Sequence, residues 1–180
     1  MVTPRALRQE GRLKVFLVAG EASGDAYGAL LSRELQKVCT AQGLELDLVG
    51  WGGDGMHAAG MRLLTHCASI NFMGFLEVAQ NLPAILQNLK RAEDDVVRED
   101  PDLVLTIDFP GFNMRLAKAL QQRRHSALRV QWVAPQVWAW KAGRVPQLRE
   151  DFDAVAPILP FEAANLESAG VHVWNVGHPL

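Results

Sequence analysis

Residues 13–25 read LKVFLVAGEASGD, an apolar run that passes abruptly into a glycine turn. The run at residues 13–19 is rich in β-branched and other apolar residues, which is typical of a parallel strand buried on both faces. Gly20 begins the turn, and Ser23 is placed to cap a helix over residues 25–40. The segment therefore predicts the first strand, turn and helix of a parallel α/β sheet.

The rest of the chain repeats this pattern of a short apolar run, a turn and a helical segment. Alternation at this spacing favours an α/β fold with a Rossmann-like, doubly wound parallel sheet and helices on both faces. We predict an N-terminal extension at residues 1–12 and one such domain over residues 13–180. The predicted strands are residues 13–19, 44–50, 62–65, 102–107, 129–133, 154–158 and 171–176, and the predicted helices are 25–40, 56–59, 83–99, 113–122, 145–150 and 162–169.

The composition excludes several classes of protein. A chain of 180 residues with 49% hydrophobic residues can bury one sizeable core. Its net charge of −2 does not indicate a nucleic-acid-binding protein. Residues 1–14 contain no apolar region of a signal peptide, and no apolar run approaches the roughly 20 residues that span a bilayer. We therefore expect a soluble or peripheral protein. Cys39 and Cys67 lack metal-ligand spacing and read as reduced thiols.

Two acids follow directly on apolar runs, Glu21 after residues 13–19 and Asp108 after residues 102–107. The common strand order 3-2-1-4-5 puts the first and fourth strands side by side, and ligands bind beyond their carboxyl ends. Both carboxylates should then face one crevice. Such a pair disfavours simultaneous ionisation, which raises at least one pKa toward the range of a general base. Either acid could instead be an ordinary cap or turn residue.

The turn after the first strand indicates a sugar rather than a phosphate ligand. It lacks both the G-x-G-x-x-G spacing of dinucleotide sites and the lysine of a P-loop. Gly24 allows the backbone to approach a ligand closely, but Glu21 would repel a phosphate placed beside it. We therefore expect a sugar hydroxyl here, with Ser23 as a second polar contact.

Two tryptophans, Trp138 and Trp140, precede the bases Lys141 and Arg144. These residues are either core aromatics followed by solvated bases, or an aromatic wall beside a cationic pair that meets a substrate phosphate. His178 is equally a turn residue or a ligand contact.

Residues 70–89 form an almost uncharged segment whose only acid is Glu77, and Pro83 within it fits a helix start. One interpretation is a buried helix and loop. Because the segment has more apolar side chains than one helix face requires, we favour contact with acyl chains or a membrane surface. The residues expected to make this contact are Phe72, Met73, Phe75, Leu76, Leu82 and Leu86.

Five motifs, in this order along the chain, resemble the lipid-A-disaccharide synthase family. They are VAGEASGD at 18–25, MGFLEV at 73–78, IDFPGFN at 107–113, PQVWAWK at 135–141 and LPFE at 159–162, and the similarity runs from about residue 13 to residue 177. The resemblance implies an inverting, metal-independent glycosyltransferase of the GT-B type with two Rossmann-like domains. It would join UDP-diacylglucosamine to diacylglucosamine 1-phosphate and release UDP, as a peripheral enzyme on the inner face of the inner membrane.

The resemblance also implies residue roles. Asp108 would be the general base on the acceptor's 6-hydroxyl, and Glu21 a glutamate of the active-site loop. The further residues expected to bind substrate are Gly20, Ser23, Gly24, Asn113, Gln136, Trp138, Lys141 and Arg144. No metal and no cofactor are expected beyond the UDP-sugar, which is the donor substrate.

The family chain is roughly twice as long, and its second half, which binds most of the UDP, has no counterpart in these 180 residues. The resemblance therefore predicts the acceptor-side domain of such an enzyme, whose donor domain a second chain could supply. The alternatives are a lipid-sugar binding module or fragment without transfer activity, and another sugar-nucleotide enzyme of this architecture, such as an epimerase.

Overall fold

The computed structural model of the chain describes residues 11–70, 82–135 and 142–177. Within these residues, six parallel strands form one sheet in the order β3-β2-β1-β4-β5-β6. The strands are β1 (Arg12–Ala19), β2 (Glu45–Gly52), β3 (Arg62–His66), β4 (Leu103–Ile107), β5 (Leu128–Trp132) and β6 (Ala154–Ala156). The predicted doubly wound sheet is confirmed, including the contact between the first and fourth strands.

Helices connect the strands and cover both faces of the sheet. They are α1 (Ala22–Ala41), α2 (Asp54–Ala58), α3 (Leu82–Glu99), α4 (Pro110–Gln122), α5 (Val145–Asp151) and α6 (Pro160–Ser168), with 3-10 turns at Cys67–Ser69 and Ala142–Arg144. None of the helices in the described ranges is long and apolar enough to cross a bilayer.

The alternation of side chains along β1 explains why its sequence is apolar without interruption. Val15 and Leu17 belong to the core cluster that packs α1 and α2 on one face. Phe16 and Val18 belong to the cluster that packs α3 and α4 on the other face. All four side chains are fully buried, and each such burial stabilises the fold by about 1.5–3 kcal/mol. The strand is therefore fixed in position by both layers.

Two predictions about local structure are wrong. Ser23 does not cap α1, because the helix begins at Ala22 with Glu21 as its extended N-cap. The Ser23 hydroxyl donates to the Glu21 carboxylate instead of accepting a backbone N–H.

Residues 171–176 do not form the predicted strand, but contribute an isolated bridge between Val155 and Val173. Val171 is buried in a core cluster against which Val173 also packs. The apolar pattern of this segment therefore reflects side-chain burial rather than a hydrogen-bonded ladder.

Candidate active site

Glu21 and Asp108 lie side by side at the carboxyl ends of β1 and β4. The register of the two strands pairs Ala19 with Ile107. Asp108 is the next residue after Ile107, and Glu21 is the second residue after Ala19. Burial, and then the negative charge of Glu21, raise the pKa of Asp108 above its ordinary value, although a hydrogen bond from the Phe109 backbone partly opposes this. The two acids predicted to share a crevice are therefore neighbours, and Asp108 has the environment of a proton acceptor.

The backbone at Asp108 turns sharply out of the strand. Asp108 and Phe109 have φ values of 48° and 45°, in the left-handed region that is uncommon for residues other than glycine. The Asp108 N–H donates to the Trp132 carbonyl at 2.9 Å, which keeps the residue attached to β5. Two consecutive left-handed residues end β4 and start α4, and they leave the Asp108 side chain half-buried.

Gly20 is required by the packing of this turn. A Cβ atom added at Gly20 would come within 2.3 Å of the Phe109 ring, closer than any ordinary contact. Gly24 lies against the same strand ends, because a Cβ there would be 3.3 Å from the Ala19 Cβ and 3.6 Å from the Ile107 carbonyl oxygen. Both glycines let α1 and the Phe109 ring approach the sheet closely, and direct contact of either with substrate stays a prediction.

Asp25, in the first turn of α1 and last in the sequence GEASGD of residues 20–25, holds α2 in place. Its carboxylate accepts backbone N–H groups from Gly53, Gly55 and Met56 at 2.8–2.9 Å, at the start of that helix. A negative charge at the N-terminus of a helix stabilises the helix. With Asp25 committed to α2, Glu21 and Ser23 are the polar side chains of the turn that remain at the surface.

An apolar pocket opens beside the Asp108 turn, between α3 and α4. It has a volume of about 160 Å³ and is lined by Ile70, Ile85, Asn88, Phe109, Gly111, Phe112 and Arg115. Leu82 and Leu86, predicted to contact acyl chains or membrane, are 50% and 53% exposed on α3. Because α3 runs back to the amino end of β4, its first turns lie at the same edge of the sheet as Asp108.

The other predicted site residues divide into three groups. Asn113 is fully buried, and its Nδ2 donates to the main-chain carbonyl of Asp108 at 2.6 Å, so it stabilises the backbone that carries this acid. Arg144 is half-buried in the turn before α5. Phe72, Met73, Phe75, Leu76, Gln136, Trp138, Trp140, Lys141 and His178 lie outside the described residues.

The strand-end acids and the pocket beside them belong to a part of the chain that matches a known family. Residues 15–180 match the family model described as lipid-A-disaccharide synthetase. The chain belongs to the lipid-A-disaccharide synthetase family. Lipid-A-disaccharide synthases from Trichlorobacter lovleyi and Pseudomonas paraeruginosa are 39% and 40% identical to it over 167 and 171 residues. These matches cover 93% and 94% of the chain but 42% and 43% of the relatives, so the chain spans less than half their length.

Solved structures show the same fold as this member of the lipid-A-disaccharide synthetase family. A putative UDP-N-acetylglucosamine 2-epimerase from Listeria monocytogenes superimposes with a TM-score of 0.59 at 15% identity, over 88% of the chain and 42% of the epimerase. A UDP-GlcNAc 2-epimerase from Neisseria meningitidis, bound to UDP-GlcNAc, gives 0.56 at 11% identity, over 93% and 46%. At these identities the likeness concerns the fold alone.

Sequence reasoning missed three residues around Asp108. Phe109 packs over Gly20 and also lines the pocket. Thr106 and Gln131 are buried polar residues within the apolar strands β4 and β5. A polar side chain inside such a strand was the available signal, because it must find hydrogen-bond partners there.

Proposed function

We propose that this chain provides the acceptor-side domain of an inverting glycosyltransferase of the lipid-A-disaccharide synthetase family. In the proposed reaction, diacylglucosamine 1-phosphate receives a diacylglucosamine unit from UDP-diacylglucosamine. The observation that supports this most strongly is the half-buried Asp108 beside Glu21, at the edge of the sheet where folds of this class bind ligands.

Asp108 is proposed as the general base on the acceptor's 6-hydroxyl. Its raised pKa makes it a better proton acceptor than an exposed aspartate, and it keeps access to the crevice. As the hydroxyl proton moves to Asp108, the hydroxyl oxygen bonds to the anomeric carbon of the donor. The bond from that carbon to UDP breaks at the same time, UDP leaves with the electron pair, and attack from the opposite face inverts the configuration.

Polar and cationic groups near the crevice are proposed to orient the acceptor. Glu21 and Ser23 lie at the surface of the same turn and already share a hydrogen bond, so each can exchange it for a sugar hydroxyl. The guanidinium of Arg144, half-buried before α5, is suited to the acceptor phosphate because it binds phosphate oxygens in pairs. Lys141 is the alternative partner of that phosphate.

The acyl chains are proposed to lie along the start of α3. The pocket of about 160 Å³ is mainly apolar and shares Phe109 with the turn that holds Asp108. A dry cavity of about 150 Å³ accepts a small apolar molecule, so this pocket can take part of one chain. The half-exposed Leu82 and Leu86 then face the remaining chains or the inner membrane surface, on which we propose a peripheral, cytoplasmic location.

The experiment measures disaccharide 1-phosphate and UDP from the two lipid substrates, with the chain alone and with a completed chimaera. This chimaera joins the chain to the part of the Trichlorobacter lovleyi relative that the match does not cover. We expect the chimaera to form both products in equal amounts, with inverted configuration at the new bond. We also expect EDTA to leave the rate unchanged, since no step of the proposal uses a metal ion.

Other outcomes would identify the rival functions. Binding of the acceptor lipid by the chain and the chimaera, without any product, would indicate a lipid-sugar binding module. Conversion of the UDP-sugar to its epimer, without transfer, would indicate an epimerase. Either result, with a folded chimaera, would contradict the proposed function.

A further inference from the structure

Two buried polar side chains face each other across β4 and β5 and take no part in the step proposed above. Thr106 is 2% exposed and Gln131 is fully buried. The strand register pairs the two residues, and Thr106 Oγ1 donates to Gln131 Oε1 at 2.6 Å. Burying a polar group costs about 1–3 kcal/mol unless its hydrogen bonds are made. We therefore expect the hydrogen bonds of this pair to stabilise the main chain at the ends of β4 and β5.

The amide of Gln131 is surrounded by main-chain carbonyl groups at the end of β5. Its Nε2 lies 3.0 Å from the main-chain carbonyl oxygen of Asp108, 3.2 Å from that of Trp132 and 3.1 Å from that of Val133. If the amide were reversed, Oε1 would face these oxygens and repel them. The Thr106 hydroxyl, which donates to Oε1, thus keeps Gln131 as a donor to the turn that carries Asp108.

That turn and the residue that follows β5 need support because their backbones are strained. Asp108, Phe109 and Val133 have φ values of 48°, 45° and 65°, and a β-branched residue such as valine rarely adopts such values. Residues in sparsely populated conformations cost about 1–3 kcal/mol each and persist only where their surroundings hold them. The amides of Gln131 and Asn113, which both donate to the Asp108 carbonyl, provide that support.

We propose that Gln131, oriented by Thr106, is a positioning residue that aims the Asp108 carboxylate into the crevice. In a continued strand, the side chain after Ile107 would point to one face of the sheet. The left-handed turn places it beyond the strand end instead, beside Glu21. Gln131 acts through the backbone of Asp108 and contacts no substrate. The expected effect on turnover rests on the proposed function, whereas the geometry can be tested without it.

The geometry is tested in the 180-residue chain by NMR titration of the Asp108 carboxyl carbon. Thr106→Val keeps the side-chain volume but leaves the buried Gln131 Oε1 without its donor, so the Gln131 side chain can shift and the Asp108 carboxylate can move toward solvent. Glu21, at the start of α1, is a negative charge that raises the pKa of Asp108. Moving away from that charge and from the buried surroundings lowers the pKa of Asp108. Thr106→Ser keeps the hydroxyl and is expected to retain the wild-type titration.

Ser32→Ala is the matched control for loss of a buried hydroxyl. Ser32 is fully buried in α1 and donates to the Gly28 carbonyl at 2.7 Å. Its loss is expected to leave the Asp108 titration unchanged. Gln131→Met, which removes the amide, is a second test variant and should lower the Asp108 pKa as Thr106→Val does. An unchanged pKa in both test variants, or an equal decrease in Ser32→Ala, overturns the proposal.

The effect on catalysis is measured in the completed chimaera. Thr106→Val is expected to lower kcat about tenfold or more, since a misplacement of about 1 Å can cost 10²-fold. KM should change less than about twofold, because substrate contacts are retained. An unchanged kcat, or a loss confined to KM, contradicts a positioning role for Gln131. If the unsubstituted chimaera forms no disaccharide, the proposed function fails, and the Asp108 titration alone decides the role of Gln131.

Discussion

Two carboxylates lie at opposite ends of the parallel strands, and their pKa values are displaced in opposite directions. We call these two ends of the sheet its amino edge and its carboxyl edge. Glu99 ends α3 at the amino edge, where Arg62 Nη2 and Lys14 Nζ each lie 2.7 Å from its Oε2. Hydrogen bonds from Arg62 and then from Lys14 lower the pKa of Glu99 to about 2, although burial opposes them. Asp108 lies at the carboxyl edge, where burial and the charge of Glu21 raise its pKa.

The contrast separates the part of the sheet that stabilises the domain from the part proposed to act on substrate. At the amino edge, Glu99 joins α3 to β1 and β3 through its two cations, so its ionised form stabilises the fold. At the carboxyl edge, the ionised form of Asp108 is disfavoured and a proton is bound more readily. This edge is also where parallel α/β sheets bind ligands.

The largest expected effect is on turnover. Asp108→Asn in the completed chimaera should lower kcat by about 10²–10⁴-fold, which is the typical contribution of a general base. Glu99→Gln, at the other edge, should leave kcat within about threefold if the variant is assayed where it is folded. The initial rate of disaccharide formation at saturating substrate measures both. A rate near wild type for Asp108→Asn would remove the general-base assignment.

The second prediction concerns the stability that Glu99 provides. Because its folded pKa of about 2 lies below the ordinary 4.5, its contribution is complete above about pH 4.5 and is lost as pH falls toward 2. Glu99→Gln should lower the free energy of unfolding by about 1–2 kcal/mol at pH 7, a modest value because solvent screens the half-exposed Arg62. Urea unfolding at pH 7 and pH 3 measures this, and an equal loss at both pH values would contradict it.

The third prediction compares exposed apolar side chains at the two edges. Leu86 is 53% exposed near the start of α3, at the carboxyl edge, and Val38 is 51% exposed near the end of α1, at the amino edge. Leu86→Glu should weaken binding to vesicles of phosphatidylethanolamine and phosphatidylglycerol about tenfold, since one buried leucine is worth about 1.5–3 kcal/mol. Val38→Glu should leave binding unchanged. Equal binding of both variants in a sedimentation assay would argue against lipid contact at α3.

The smallest effect is a gain in stability from Asp108→Asn. Because the folded pKa of Asp108 is raised, its ionised form destabilises the fold at pH 7, and this cost disappears below the ordinary pKa. The uncharged amide removes the cost and tolerates the left-handed backbone. The thermal midpoint of the 180-residue chain should rise at pH 7, with the difference fading at pH 3. A lower midpoint at pH 7 would show that the Asp108 charge is not destabilising.

Much of the fold could be predicted from the sequence because the central strands are buried on both faces. An uninterrupted apolar run such as that of β1 has few other interpretations, and the alternation with helices indicated a parallel sheet. The strand order was taken from the order common to such sheets. The outermost strand of the sheet, predicted over residues 171–176, was harder to predict. Val171 and Val173 have a strand-like pattern, but they pack into a side-chain cluster, and one bridge replaces the expected ladder.

The candidate site could be predicted in outline but not in its supporting residues. The positions of Glu21 and Asp108 followed from where the apolar runs end. The roles of Thr106 and Gln131 depend on the register between β4 and β5, which no local pattern specifies. Ser23 was wrongly expected as a helix cap, because α1 begins at Ala22 and Ser23 is already its second residue.

The most direct test is an NMR titration of the Asp108 carboxyl group in the 180-residue chain and in its Glu21→Gln variant. Asp108 is expected to titrate above its ordinary value of 3.8, and Glu21→Gln should lower that pKa while leaving the part that burial causes. Glu99, followed in the same spectra, should titrate well below 4.5 in both proteins. Titration of Asp108 at or below 3.8, or no response to Glu21→Gln, would contradict a base created by burial and a neighbouring acid.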